Sequence, residues 1–384
     1  MKNQNNKMVT EITELKKYLN SEFVKREEVV DLAVLALASG ESAFFISPPG
    51  EGKTKTLSVL GELINGNFCA RTFTAQTMAE DLLGAIDPVE YQKTGKWIRK
   101  FDSFATADFA LADEPYKAEH ANQVLLELQA SRMVDGKPVP IQAMFGASNE
   151  LPPAKLEASW DRWGLRLSIP RLTQAGDLMA LLDCKAGETP KPTINLTVDD
   201  FRAISKEALK MSTALPQKIK EKIVQICLQL QKSEIDASPR RIKLLTKVAA
   251  AQALLNGRSQ VILKDLAVAK FIFWQKLEDI ETVNNIVNSL VDPLAGEILN
   301  LKALYEDLQQ RLTTFEQDLR DVYKNNGNPF EFTTEVRKCT LKLKKQLAEI
   351  NKKADTPIDF LTAKKLDSIA EELIDRSTKA LSNR

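Results

Sequence analysis

One segment constrains this chain more than any other. The apolar run Ala43-Phe44-Phe45-Ile46 passes into the loop Ser47-Pro48-Pro49-Gly50-Glu51-Gly52, and Lys53-Thr54 then opens a helical pattern that reaches about Leu63. A buried strand, a glycine-bearing loop and a helix in that order form the frame of a phosphate-binding loop, G-x-x-x-x-G-K-[ST], with only the first glycine replaced, by Ser47. Gly50 and Gly52 allow close backbone approach to an anion. The loop amides and the helix N-terminus then face it. Lys53 is placed to reach the β- and γ-phosphates and Thr54 to coordinate Mg²⁺. The expected nucleotide-binding residues are therefore Pro49, Gly50, Glu51, Gly52, Lys53, Thr54 and Lys55, and the expected cofactors are ATP and Mg²⁺. A chance Gly/Pro loop before a helix is the competing reading, and the strand-loop-helix context argues against it.

A second signal strengthens the first. Phe109-Ala110-Leu111-Ala112 is an apolar run that stops at Asp113-Glu114, about sixty residues after the loop. At a strand end, Asp113 can join the Mg²⁺ shell and Glu114 can polarise an attacking water. Alone, an apolar run ending in two acids often marks only a strand end. Ala143-Met144-Phe145-Gly146-Ala147 is a further strand, ending at Ser148-Asn149. Asn149 is either a turn residue or an amide that orients water or the γ-phosphate. Arg162, between Trp160-Asp161 and Trp163, is either an arginine finger for a neighbouring subunit or a surface partner of Asp161. Arg240 and Arg241 follow Ser238-Pro239, a helix start with proline at the first position. Either they fold over nucleotide or they are solvated helix-start charges.

The rest of the chain supplies the scaffold. Residues 11–38 read as two amphipathic helices, and Ala70-Arg71-Thr72-Phe73-Thr74 and Leu165-Arg166-Leu167-Ser168-Ile169 as further strands. Strands alternating with helices predict an α/β fold with a parallel sheet. Domains are expected at 1–186 (N-terminal helices and α/β core), 187–282 (all-helical lid) and 283–384 (helical extension). In the last, Val291, Leu294, Ile298, Leu301, Tyr305, Leu308, Leu312, Phe315, Leu319 and Val322 follow an a/d spacing, broken at Asn325-Asn326-Gly327-Asn328-Pro329 and resumed from Phe332. A hairpin of long helices, or a coiled coil with a neighbouring chain, fits that pattern.

Composition excludes several classes. Lys+Arg is 53 against Asp+Glu 52, a net charge of +1, which disfavours a nucleic-acid coat. Four dispersed cysteines and one histidine, His120, leave no zinc module, disulfide framework or multi-histidine site. His120 is expected to be a partly exposed helix residue, and Trp97, Tyr91, Trp160 and Trp163 to be packing or interface aromatics. The polar first ten residues do not read as a signal peptide, and no apolar stretch is long enough for a bilayer. A cytoplasmic protein without membrane insertion is expected.

Beyond single motifs, the ordered set resembles a family. The stretch from Glu22 to Thr54, the segment Thr77-Met78-Ala79-Glu80-Asp81-Leu82-Leu83-Gly84, the Asp113-Glu114-Pro115-Tyr116-Lys117-Ala118 strand end, Ala147-Ser148-Asn149-Glu150-Leu151-Pro152 and Ser238-Pro239-Arg240-Arg241 are together similar to MoxR-family AAA+ ATPases of the RavA-like subgroup. The resemblance covers roughly residues 11–280. It implies an AAA+ P-loop sheet core with a helical lid, and a homohexameric ring that hydrolyses ATP with Mg²⁺ between subunits. It also implies remodelling of a protein client, with a von Willebrand factor A partner. On that pattern Lys53 and Thr54 are Walker A, Asp113 and Glu114 Walker B, Asn149 sensor 1, Arg162 the finger and Arg240 the sensor 2 arginine, with Arg166 and Arg241 as alternates. Ser47 departs from the family's glycine, and the C-terminal stretch shows no β-rich insertion. Two other classes compete: an AAA+ nucleic-acid motor using the hairpin-like Met133-Val134-Asp135-Gly136-Lys137-Pro138-Val139-Pro140, and a scaffold that binds ATP for assembly without turnover.

Overall fold

The computed structural model describes residues 2–291, apart from positions 102, 154, 155, 174, 185, 186 and 188, together with Lys338, Leu341, Lys342, Lys345 and Asp375. The expected C-terminal helical hairpin lies outside the described residues. The chain divides into two compact units, Met1–Asn284 and Asn285–Arg384.

Five parallel strands form the centre of the first unit. They are β1 (Ala43–Ile46), β2 (Phe68–Thr72), β3 (Phe109–Asp113), β6 (Ala143–Ser148) and β7 (Leu165–Ser168), in the spatial order β2-β3-β6-β1-β7. A separate small hairpin pairs β4 (Met133–Val134) with β5 (Lys137–Pro138). Every residue of β1 and β6 is buried. That explains why these runs are continuously apolar: strands covered on both faces have no polar side to alternate with. Sequence places the second strand at 70–74, but it runs from Phe68 to Thr72. Phe68 pairs with Phe109 across the β2–β3 register, their rings tilted against each other at a centroid distance of 5.2 Å. Thr74 instead enters a turn, its amide donating to Thr77 Oγ1 at 2.9 Å.

Helices cover the sheet. α1 (Lys2–Glu22) and α2 (Glu27–Ser39) precede β1, and α3 (Lys53–Leu63) follows it. α4 (Glu80–Leu83), α5 (Pro88–Thr94) and α6 (Ser103–Thr106) lie between β2 and β3. α7 (Glu119–Ser131) leads to the hairpin, α8 (Glu157–Arg162) to β7, and α9 (Ala175–Asp183) leaves the core. α10 (Val198–Thr213), α11 (Gln217–Lys232), α12 (Pro239–Leu255) and α13 (Asp279–Val291) complete the element order, with 3₁₀ structure at Leu263–Phe271. α2 is buried along Val29–Ser39 except at Asp31, and packs against both α10 and α12. α12 begins as its sequence predicts: Ser238 caps it, accepting from the Arg241 amide, with Pro239 in the first turn.

The parallel register decides where chemistry can occur. Ile46 pairs with Ser148, and Asp113 with Ala147. The C-terminal ends of β1, β3 and β6 therefore finish level, on the edge of the sheet where open α/β folds bind ligands.

Candidate functional site at the C-terminal sheet edge

β1 delivers Ser47 to that edge, and the Ser47 amide donates to Ser148 O at 3.0 Å, prolonging the β1–β6 ladder. The loop then turns through Gly50 (φ 85°) and Gly52 (φ 78°), both in the left-handed region where a Cβ is costly. α3 starts at Lys53, so its unpaired first-turn amides border the loop. Lys53 is buried, and its Nζ donates to Ser47 Oγ and, at 3.5 Å, to Ser47 O. Burial pushes the Lys53 ammonium below its ordinary pKa, while Asp113, Glu114 and Glu51 oppose that shift. A buried cation held by one hydroxyl and one long carbonyl contact, with acids beside it, is fitted to take a polyphosphate.

β3 delivers the acids. Burial pushes the Asp113 carboxyl above its ordinary value, Lys53 pulls it back, and Thr72 Oγ1 donates to it at 3.4 Å. Glu114 stands in the left-handed region at φ 56°, unusual for a residue with a side chain. Its amide donates to Ala147 O at 2.7 Å and its Oε2 accepts from Ser148 Oγ at 3.1 Å. Lys117 Nζ stands 3.7 Å away. These contacts aim the carboxylate from both sides. Asn149 is exposed at the end of β6. Residues 49–55, Asp113, Glu114 and Asn149 line one cavity of about 380 Å³. Thus the phosphate loop, both acids and the amide converge in the fold. Among the described residues no cluster of three or more His, Cys, Asp or Glu side chains is arranged for a metal. A hydroxyl and one carboxylate beside phosphates are the donor set that suits Mg²⁺, which keeps several waters.

The arginines lie elsewhere. Arg162 donates to Leu126 O at 2.8 Å, and the exposed Arg240 approaches Asp161 Oδ2 at 3.4 Å. Both line a second cleft of about 560 Å³ with Asp161, Arg241 and Lys243, and neither lines the phosphate cavity. Arg241 is buried, pairs with Asp161 at 3.0 Å and donates to Ile272 O. Arg166 is fully buried. Its guanidinium donates to the carbonyls of Trp163 (3.1 Å), Trp274 (2.6 Å) and Trp160 (2.7 Å), and lies 4.1 Å over the Trp160 ring. Trp160 and Trp163 pack edge-on against Phe44, whereas Trp97 is 73% exposed and touches Tyr91 at 4.9 Å. His120 lies in α7.

Three participants escape sequence reasoning: Ser148, Thr72 and Arg26. The first two are ordinary strand-end hydroxyls. Arg26, 6% exposed, forms an ion pair with Glu51 of the loop, yet in sequence it is one charge among Lys25, Glu27 and Glu28.

Known proteins resemble this arrangement. Residues 10–205 match the model of the MoxR domain in the MoxR-vWA-beta-propeller ternary systems, and residues 218–287 match an AAA lid domain. An uncharacterized protein of Methanocaldococcus jannaschii, MJ0079, is 26% identical over 358 residues, which is 91% of this chain and 93% of that protein. Another from the same organism, MJ0812, is 27% identical over 314 residues (80% and 83%). Uncharacterized YeaC of Bacillus subtilis is 26% identical over 265 residues (65% and 81%). A crystal structure from Cytophaga hutchinsonii, described as that of a proposed ATPase, superposes with a TM-score of 0.58 at 19% identity, covering 73% of this chain and 95% of that one, a likeness of fold. Because the MoxR-domain match spans half of the chain and the lid match follows it in order, the chain belongs to the MoxR family of AAA+ ATPases.

Proposed function

We propose that this chain is a RavA-like ATPase that hydrolyses ATP to ADP and phosphate with Mg²⁺ at the subunit interfaces of a homohexameric ring in the cytoplasm. In this reading residues 1–186 form the ATPase core, 187–282 the lid and 283–384 a helical extension. One observation carries the reading. Among the described residues the phosphate cavity is lined by the loop, Lys53, Asp113, Glu114 and Asn149 and by no arginine, while Arg162 and Arg240 share a separate cleft. Hydrolysis of a γ-phosphate needs positive charge where negative charge develops, and an arginine supplied in trans does this. A ring that sets one chain's arginine cleft against the next chain's phosphate cavity joins the two halves.

Each residue then has a role. Loop amides and Lys53 bind phosphate oxygens, with Lys53 exchanging the Ser47 hydroxyl for them. Thr54 and Asp113 hold Mg²⁺, which screens the phosphate charges when bound. Glu114, oriented by Ser148, accepts a proton from the attacking water, and Asn149 orients that water. The work of turnover goes to remodelling a protein client. The matched domain's name, from MoxR-vWA-beta-propeller ternary systems, supports a von Willebrand factor A partner.

ATPase rate against protein concentration, with mass by light scattering, tests the reading. Wild-type activity should rise as a ring forms, and Arg162→Ala should assemble but lose turnover. Concentration-independent activity from a monomer overturns the ring. Stimulation by DNA that fades with salt would transfer the function to a nucleic-acid motor.

A further inference from the structure

The phosphate loop carries an acid where a polyphosphate is to bind. Glu51 sits between the two left-handed glycines and lines the cavity. An unpaired carboxylate there repels the ligand. Arg26 meets it: Nη2 pairs with the Glu51 carboxylate and Nε donates to the Glu51 carbonyl at 3.0 Å. One guanidinium thus grips both ends of a single loop residue. Its remaining amine donates to Lys25 O at 2.8 Å.

Arg26 is rigidly mounted. It stands at the N-terminal boundary of α2, whose next turn hangs from it through Val30 N to Arg26 O at 3.0 Å, and α2 is buried along most of its length. Just before it, Phe23 approaches within 3.8 Å of where a Gly52 Cβ would stand. The 51–52 peptide is trans, so the Gly52 N–H points opposite to the Glu51 carbonyl. Holding that carbonyl therefore turns the Gly52 amide away from Arg26.

Resting on the ATPase reading above, we infer that Arg26 is a positioning residue of the triphosphate site: it neutralises Glu51 and fixes the orientation of the 51–52 peptide, so that the loop accepts ATP. Arg26 does not line the cavity and acts through Glu51. The two effects separate experimentally. Loss of neutralisation penalises the more highly charged ATP more than ADP. Loss of the peptide grip weakens both equally.

The test is binding of fluorescent ATP and ADP analogues to the full chain, for wild type, Lys53→Ala, Arg26→Ala, Arg26→Lys and Arg26→Ala/Glu51→Gln, with thermal melting alongside. Wild-type binding lost in Lys53→Ala sets the baseline; a wild type that binds no nucleotide sinks the ATPase reading together with this one. Arg26→Ala should weaken ATP at least tenfold and ADP distinctly less, and adding Glu51→Gln should restore the wild-type ratio of ATP to ADP affinity. Arg26→Lys keeps the charge but loses the two-point grip, so it should weaken both nucleotides several-fold at an unchanged ratio, and this holds the test open should Arg26→Ala fail to fold. ATP binding unchanged in Arg26→Ala or Arg26→Lys overturns the inference. So does an equal loss of both nucleotides in Arg26→Ala that Glu51→Gln does not relieve, because a merely structural arginine would behave that way.

Discussion

Ser148 donates its hydroxyl to Glu114 Oε2 at 3.1 Å, across neighbouring strands whose ends the β3–β6 register holds level. Ser148 is 6% exposed, so the bond sits largely out of water and restricts the carboxylate to one aim. Glu114→Gln should keep ATP binding and reduce turnover by about 10²-fold or more, within the range for loss of a general base. Ser148→Ala should lower kcat by several-fold with little change in KM, because it loosens the base without touching phosphate. Steady-state kinetics on both variants check this; full turnover in Glu114→Gln would remove Glu114 from its role.

Arg162 and Arg166 are four positions apart and should behave oppositely. Arg166 is fully buried and satisfies three tryptophan carbonyls. Arg166→Ala strands these acceptors and should cost about 3 kcal/mol or more of stability, the scale for breaking a buried charged network. Among the described residues Arg162 donates to Leu126 O alone. Arg162→Ala should melt close to wild type and lose turnover, and mixing it with Lys53→Ala should recover activity at mixed interfaces. Urea denaturation and ATPase assays on the two variants separate a fold arginine from a functional one.

Asp113 sets stability against function. Burial holds its folded pKa above the ordinary value. Between the unfolded and folded values the native state binds the extra proton, so this group's contribution to stability falls as pH rises through that window. At neutral pH the ionised carboxyl is a burden in the nucleotide-free protein. Asp113→Asn should therefore raise the melting temperature of the nucleotide-free protein while abolishing Mg²⁺-dependent turnover. A melting temperature lowered by this change at neutral pH would contradict the assignment.

Lys53 Nζ donates to the Ser47 hydroxyl, so in the proposed reading that hydroxyl competes with nucleotide for Lys53. Ser47→Gly restores the glycine of the loop pattern and removes that partner. One net hydrogen bond of about 0.5–1.5 kcal/mol predicts ATP binding tighter by roughly two- to tenfold. Titration calorimetry with ATP reads this directly, and weaker binding would show that the hydroxyl helps the loop.

Much of the site is legible in sequence because its parts are local. Residues 49–55 are contiguous, so sequence alone places them on one loop, and β3 and β6 announce themselves as apolar runs that stop at polar residues. Buried parallel strands must be apolar throughout, and the chain turns polar where they emerge. The tertiary structure decided the rest. Strand order brings Asp113, Glu114 and Asn149 to the loop after Ile46, although they lie far from it in sequence. The fate of each arginine is also tertiary: Arg162 borders a cleft while Arg166 vanishes beneath Trp160 and Trp274. The pairing of Arg26 with Glu51 spans 25 positions and two separate turns. Local spacing encodes which groups share a loop or a strand end. Burial and charge pairing depend on which surfaces the fold presses together, and for Arg26, Arg162 and Arg166 no local pattern carries that information.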